Sequence, residues 1–512
     1  MRSSDVLTAD VAVVGAGPAG LAAAAEAAAA GLDVVVVDCG ARPGGQYWRH
    51  GPDTAGPGPG THGRGTYSRL RADTARHGVR LVSGHQVWRA DRRDDGFVLR
   101  LRPAHDVTPD TAVASVGSRR LIVCTGGYDR QLPVPGWDLP GVMAAGGAQA
   151  LLKEHGTVAG RRVVVAGTGP FLAAVAAGLA GAGARVVAVC EANAPVRGWL
   201  RRPVAALSEP AKAVEALRYA ALLTRHRIPY RTRTAVTRVH GEDRVRAVDL
   251  SALDHDGRPR EGTRVTVPAD LVALGWGFTP SLDLLLTLGA RTRLDADGSL
   301  VVRVDDGQRT TVPGLYAAGE TTGVAGATQA VREGRLSGLA VAADLSRAGS
   351  AGGGAGPGRP GEAGPGTAAD TDAALRARRA RRLRAGARRG RRFAEALHAA
   401  CPVPAGWTSW LEEDTVVCRC EEVPFGAVRH AVRELGAEDP RTVKMLARPG
   451  MGMCQGRVCG FATALITRDL TGRPSTAEAL AAFGKRPFAA PVTLAELAAS
   501  DDHPAPGTGP EA

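Results

Sequence analysis

Aromatic residues supply only 4% of this 512-residue chain, so no core here rests on large rings and Ala, Val and Leu must fill it. Long apolar runs are missing too. The nearly all-apolar stretch from Ala19 to Ala30 is far below the roughly 20 residues of a membrane-spanning helix and stands where a buried helix belongs. A cytoplasmic chain with no transmembrane segment is therefore expected. Of eight cysteines, four are scattered in apolar or linker contexts and four gather near the C-terminal end, which excludes the disulfide framework of a small secreted domain. No residue announces itself as a catalytic base: His50, His62 and His85 are isolated, and such histidines are ordinarily surface or core.

What is present is 44% hydrophobic content, enough for two or three domains with real cores, and a formal charge of +13. Charge of that size would by itself suggest nucleic acid or an anionic surface. Much of it is local, because ten arginines fall in the seventeen residues from Arg376 to Arg392. No RNA or DNA module accompanies them, so the run reads as a solvated or partner-facing helix, with no nucleic-acid partner.

From Asp10 the chain reads VAVVGAGPAG, an apolar strand running into Gly15, Gly17, Pro18, Ala19 and Gly20. In G-x-G-x-x-G spacing the first glycine permits a tight turn, the second lets amides approach a pyrophosphate, and the third permits close helix-strand packing. The strand Val34 to Val37 then ends at Asp38, placed to accept from an adenosine ribose. Strand, glycines, helix, strand and acid in this order mark a dinucleotide site. Pro43-Gly-Gly45-Gln46 follows as a loop expected near the cofactor, its alternative being an ordinary Pro-Gly turn.

Leu121-IVCTGG carries Thr125 and Gly126 in a second strand-to-glycine turn, and Arg162-VVVAGTGPFL repeats the nucleotide pattern. A further strand, Arg185 to Val189, leads to Glu191, giving an internal Rossmann duplication inserted into the first domain. Leu172 occupies its third glycine position and should push helix and strand apart, while Glu191 would repel a 2'-phosphate. This second site reads as degraded, leaving NAD(H) or another adenine nucleotide as a minor expectation. Asp270-LVALGWGFTP marks the return to the first domain, with Trp276 and Phe278 as either cofactor-pocket or boundary-packing residues. Neither nucleotide segment contains the Cys-x-x-Cys of disulfide reductases; Cys39, Cys124 and Cys190 stand apart.

Gly, Ala and Pro without apolar periodicity make Arg347 to Asp370 a flexible connector, and Gly51 to Gly65 a mobile loop. Arg376 to Ala399 resumes helical composition with Leu375, Leu383, Phe393 and Leu397 as its few apolar anchors. Beyond it, Cys418-x-Cys420 and Cys454-x4-Cys459 form two close pairs able to converge on one centre, with Val423 to Leu435 and Thr442 to Leu446 as short helices between them. Thiolates suit zinc or an iron-sulfur cluster. C-x-C is tight for a zinc knuckle, and Gly450, Gly452, Gly456 and Gly460 would let amides approach cluster sulfides.

Two blocks carry a resemblance to known proteins. Pro313-GLYAAGE, with Gly319, Glu320 and the helix bearing Gln329, Ala330 and Gly334, looks like the second FAD fingerprint of two-dinucleotide-domain flavoproteins, with Glu320 in place of the usual Asp. Cys418-RCEEV with Gly450-MGMCQGRVCG resembles the bacterioferritin-associated-ferredoxin type of [2Fe-2S] module. Attachment of that module to such a flavoprotein is similar to the alpha subunits of hydroxyproline and proline dehydrogenases, the A subunit of opine oxidase and the B subunit of hydrogen cyanide synthase. Pro135-GWDLPGV and Trp407 to Glu422 extend the likeness over nearly the whole chain.

The resemblance implies an α/β fold with two nested Rossmann-like dinucleotide-binding domains of the pyridine-nucleotide-disulfide-oxidoreductase type and a small C-terminal helical [2Fe-2S] module. Expected boundaries are residues 1–130 with 266–346 for the FAD domain, 131–265 for the second nucleotide domain, 347–375 for the linker, 376–410 for the arginine-rich connector, 411–475 for the cluster module and 476–512 for an extension. It further implies FAD and a cluster on Cys418, Cys420, Cys454 and Cys459. The partners it implies are a D-amino-acid-oxidase-like beta subunit with its own FAD, together with a small ferredoxin-like subunit. The expected function is electron relay in the oxidation of an amino or imino acid such as D-hydroxyproline, proline or an opine. An NAD(P)H-dependent reductase feeding a partner enzyme is the alternative, and a zinc-binding assembly protein a third reading.

Overall fold

The computed structural model describes residues 6–51, 63–104, 113–206, 208–352 and 368–499. Strand β1 (Val6–Val14) enters the protein with Val11, Ala12 and Val13 fully buried, as β-branched runs covered on both faces do in parallel sheets. It is followed by α1 (Pro18–Ala28), β2 (Val34–Val37), β3 (Arg80–Val82), β4 (His85–Arg92), β5 (Phe97–Pro103) and β6 (Ser115–Val123). Sheet order is β3-β2-β1-β6-β5-β4, with β4 and β5 antiparallel and the rest of the β1 side parallel.

The chain then builds a second sheet from β7 (Val142–Ala144), β8 (Arg162–Gly167), β9 (Arg185–Glu191), β10 (Tyr230–Thr232) and β11 (Leu271–Gly275), all parallel in the order β10-β9-β8-β11-β7. Helix α2 (Phe171–Gly181) follows β8. Outgoing Gly127–Asp129 and returning Phe278–Pro280 pair antiparallel, so the chain leaves and re-enters the first unit at one place. The return ends at β12 (Leu315–Ala317), which pairs with the C-terminal half of β6 while β5 keeps its N-terminal half. This is the nested pair of Rossmann units.

Helix α3 (Ala327–Gly352) crosses α1 so tightly that a Cβ on Gly334 would stand 2.1 Å from the Ala19 carbonyl. Helix α4 (Ala368–Ala400) begins earlier than the expected start at Arg376, and α3 runs past Arg347. The remainder of the expected connector, and most of the Gly51–Gly65 loop, lies outside the described residues. One expected apolar anchor of α4 needs correction: Leu375 is 59% exposed, whereas Leu383, Phe393 and Leu397 are half-buried, with Phe393 against Trp199, beside a buried small-residue seam of Gly386, Gly390, Ala394, Ala396 and Ala400. A Cβ on Gly390 would meet Gln329 Oε1 at 2.2 Å. The arginine run is also not purely solvated: Arg379 pairs with Glu26, Arg388 with Asp306 and Arg391 with Glu333.

A C-terminal helical unit comprises α5 (Phe425–Arg433) and α6 (Pro440–Ala447), close to the two expected helices, together with α7 (Gly460–Thr471) and α8 (Ala477–Gly484), which were not expected. Asp439 caps α6 through the Arg441 and Thr442 amides with Pro440 at the first helical position. Its core is continuous with one face of the second sheet, joining Trp137, Trp276, Trp407 and Trp410 to Val417, Cys418 and Cys459. Among the described residues no helix is long and apolar enough to cross a membrane.

Candidate functional site

A cavity of about 1560 Å³ runs between the two Rossmann units. Gly15 (φ +101°) sits where a Cβ would be 2.3 Å from the Cys124 carbonyl, and one on Gly20 would be 1.7 Å from the Gly15 carbonyl, so neither position accepts a side chain. Above Gly17 the nearest atom a Cβ would meet is 4.0 Å away, leaving the approach to the turn open. Register between β1 and β2 brings Asp38 beside this turn, where Oδ2 accepts from the Ala16 amide (2.5 Å) and Oδ1 from Gly40 (2.7 Å). Burial nevertheless holds the Asp38 carboxyl above its ordinary range.

Gly45 lies against Gly17, Gln46 accepts from Arg49, and Thr125 donates to the Ser281 carbonyl at 2.7 Å. Gly126 takes a left-handed φ of +68°. All the sequence-expected cofactor residues line the cavity except Gly20, which is spent on packing, and Gln329, which is buried and donates to Glu333 and to the Ala387 carbonyl. Gly319 (φ +81°) turns the chain at the end of β12 and brings Glu320 to the cavity wall. Burial first, then the charges of Glu333 and Asp129, push the Glu320 carboxyl up to about 7.

Sequence reasoning missed the groups behind that wall. Glu333 accepts from the Gly319 amide (3.0 Å), Thr322 Oγ1 (2.8 Å) and Arg391 (2.6 Å), so the arginine-rich helix reaches into the second fingerprint. His398, from the same helix, and Arg130 flank Asp297; although burial opposes it, their hydrogen bond and charge hold that carboxyl well below the usual range. No local periodicity signals these partners. Trp276 and Phe278 both line the cavity and both pack, against Trp410 and Phe171 respectively.

At the second glycine turn Leu172 is fully buried, but it does not wedge β8 from α2. It faces Gly275 of β11, where a Cβ would stand 2.9 Å from Leu172 Cδ2, so the missing glycine on the helix is offset by one on the neighbouring strand.

The four C-terminal cysteines come together at the loops between β-strand Val416–Cys418 and α7. Within the cluster Cys459 interacts electrostatically with both Cys418 and Cys454, and Cys454 with Cys420. The neighbouring Cys459 is the largest cause that lowers Cys418 to about 6 and Cys454 to about 4, with Cys459 raised in exchange. The Gly450 amide points at Cys418 Sγ at 3.5 Å. None of the four is in a disulfide; Cys418 and Cys459 are buried and Cys420 is exposed. Three of the surrounding glycines have a packing cause: a Cβ on Gly450, Gly456 or Gly460 would come within 2.8 Å of the Phe483 ring. The sulfurs form a chain of contacts rather than a single tight knot. Among the described residues the one trio of ligand-type atoms all within 4.8 Å is the surface group Asp254, His255 and Asp256.

Cavity and thiols share a wall. Arg457 lines the cavity, donates to the Cys454 carbonyl at 3.2 Å and pairs with Asp283 at 3.1 Å. Arg130, also at the cavity, stacks 3.9 Å over Phe461, two residues beyond Cys459.

The model of the pyridine nucleotide-disulphide oxidoreductase family matches residues 9–334. The chain belongs to that family. It is an FAD-binding oxidoreductase of the family's Rossmann type with a C-terminal helical extension. It is 32% identical to the A subunit of opine oxidase from Agrobacterium tumefaciens (strain Ach5), over 96% of this chain and 91% of that protein. It is likewise 32% identical to the HcnB subunit of hydrogen cyanide synthase from Pseudomonas aeruginosa, over 90% and 93%. A crystal structure of L-proline dehydrogenase from P. horikoshii shares the fold at a TM-score of 0.63, 19% identity, 96% of this chain and 80% of that one. Unlike the disulphide reductases of this family's name, this pyridine nucleotide-disulphide oxidoreductase has no paired thiols in the matched region: Cys39 is exposed, while Cys124 and Cys190 are buried at separate strand ends.

Proposed function

We propose that this chain is the FAD- and [2Fe-2S]-carrying subunit of a dehydrogenase complex that oxidises a CH–NH or CH–NH2 donor, an amino or imino acid of the proline, D-hydroxyproline or opine kind. The observation that carries the proposal is the shared wall, in which Arg457 lines the cofactor cavity and grips the Cys454 carbonyl. Full-length likeness to the A subunit of opine oxidase supports the donor class. That both relatives are named as subunits supports a partner chain, for which a D-amino-acid-oxidase-like flavoprotein and a small ferredoxin-like protein are our candidates.

The residues fit both groups. Over Gly17 there is open space bounded by Asp38, suited to a pyrophosphate with its adenosine ribose, and α1 presents its N-terminus there. Cys418, Cys420, Cys454 and Cys459 offer four sulfurs in two close pairs, two already biased to thiolate, with the Gly450 amide as a sulfur donor. An extended chain of contacts suits a two-iron centre better than one tetrahedral ion. When bound, flavin exchanges electrons in twos or singly and the cluster singly. The protein's part is to hold both within one wall, with Glu320 able to take or release a proton near neutral pH at the cavity. In this reading residues 1–130 with 266–346 form the FAD domain, 131–265 the second nucleotide domain and 411–475 the cluster domain.

Anaerobic titration of the chain, alone and with co-purifying subunits, against proline, hydroxyproline, an opine and NADH tests the reading, following visible bleaching and the reduced-cluster EPR signal. Reduction by an amino or imino acid only with the partner present is the expected result. A preparation with neither flavin nor iron-sulfur absorption, or an EPR signal unmoved by any donor, would sink it.

A further inference from the structure

The two glycine turns differ in what covers them. At the first, the residue after the ribose-type acid, Cys39, is exposed and the space over the turn is open. At the second, Glu191 is fully buried and Ala192 behind it is 6% exposed. Both Glu191 oxygens are engaged within the fold, Oε2 by the Gly169 amide (2.6 Å) and Oε1 by Thr168 Oγ1 (3.1 Å) and the Asn193 amide (3.0 Å).

What covers this edge is the chain's own segment just beyond α4. The single Thr168 hydroxyl proton is shared between Glu191 Oε1 and the Cys401 carbonyl, 3.1 Å from each, and Asn193 Nδ2 donates to the Pro402 carbonyl at 2.8 Å. On the near side the Phe393 ring rests 5.1 Å from Trp199, and a Cβ on Gly198 would be 2.6 Å from Ala400 Cα. On the far side a Cβ on Gly257 would be 2.4 Å from Pro404. The segment is thus anchored before, over and after the acid.

We propose that Cys401–Val403 is a built-in occupant of the adenosine half of the second nucleotide site, and that this chain is thereby closed to NAD(H), NADP(H) and other adenine nucleotides. Recognition of an adenosine ribose needs a carboxylate with a free lone pair facing the ligand. Asp38 at the first site also accepts at both oxygens but stays part-exposed, whereas Glu191 has no exposed surface and the two side chains beside it bond peptide carbonyls of the segment. The open space that remains over Gly169 is part of the same cavity that serves the first site. The segment therefore acts as a selectivity element: it leaves one dinucleotide site in a duplicated fold.

Calorimetric titration of the purified holoprotein with ADP-ribose and with NADH tests this, since ADP-ribose binds without redox chemistry. Wild type is expected to show no saturable heat up to about 1 mM. The variant Thr168→Val with Asn193→Ala, which removes both side-chain bonds to the segment's carbonyls and the Thr168 bond to Glu191, is expected to bind at least about tenfold tighter, at about 100 µM or below. Saturable binding by wild type below about 1 mM overturns the proposal. So does a variant that keeps its visible spectrum and far-UV circular dichroism yet stays as silent as wild type. If the double variant does not fold, Asn193→Ala alone, which removes the bond to the Pro402 carbonyl, carries the same reading.

Discussion

Arg419 sits over Trp137, its guanidinium carbon 3.9 Å from the ring centroid, while Trp137 Nε1 donates to the Val416 carbonyl at 2.6 Å and Arg419 donates to the Trp137 carbonyl. The Cys418-Arg419-Cys420 loop is therefore clamped to the tryptophan of the Pro135-GWDLPGV segment, 282 residues away in sequence. Trp137 is 1% exposed, so Trp137→Ala should cost about 3–5 kcal/mol and loosen the thiol loop. The expected outcome is a lower Tm together with a lower iron content per chain; Trp137→Phe, which keeps a ring under Arg419, should retain more iron than Ala. Full iron content in Trp137→Ala would disprove the clamp.

Substitution of the thiols separates ligands from bystanders. Cys418→Ser and Cys454→Ser should remove most of the bound iron and acid-labile sulfide, because each loses a sulfur biased to thiolate. Cys124→Ala, in the buried strand end beside Gly15, should leave iron unchanged. Iron analysis and EPR on the three proteins decide it.

Glu320 makes stability depend on pH in a defined window. Its carboxyl stands at about 7 in the fold against 4.5 for an ordinary glutamate, with burial the largest cause. Between those values the folded chain keeps a proton that the unfolded chain has released. Stability is then lost as pH rises through 4.5 to 7, and the penalty is complete above 7. Glu320→Gln removes the titration, and should raise stability at pH 8 by on the order of 1 kcal/mol while leaving it unchanged at pH 4. Denaturant unfolding at the two pH values checks this; an equal change at both would exclude it.

Arg391 and Glu333 form a buried pair at 2.6 Å, the carboxylate 3% exposed. Removing one partner leaves the other charge unpaired, so Arg391→Met should cost about 3–5 kcal/mol. Combining it with Glu333→Gln should recover part of the loss, giving a coupling energy of at least about 1 kcal/mol in a double-mutant cycle. Additive losses would show that the two do not act together.

The first glycine turn, Asp38, the repeated Rossmann unit, the two helices between the thiol pairs and the pairing of the four cysteines in sequence were all legible, because each rests on local spacing. Leu172 was read from its own helix alone, and the compensating Gly275 lies on another strand. The arginine run gave its charge but not its partners, since Glu26, Asp306 and Glu333 precede it by 58 to 353 residues. Its packing was legible only in part for a related reason: Phe393 packs on Trp199 as an apolar anchor should, but α4 also docks through Gly386 and Gly390, which an apolar stripe does not mark.

The hydrophobic core that joins the second sheet to the thiol loops bears on how this chain can be cut and recombined. A second nucleotide unit whose ligand edge is covered by its own chain looks expendable, yet Trp137, Trp276 and the strand residues around them form half of the interior in which Cys418 and Cys459 are buried. Deleting that unit would strip the metal-type loops of their floor, and transplanting those loops to another flavoprotein would leave a raw apolar surface on both pieces. Modularity here follows the packing, and the smallest transferable piece is the second unit and the thiol loops together.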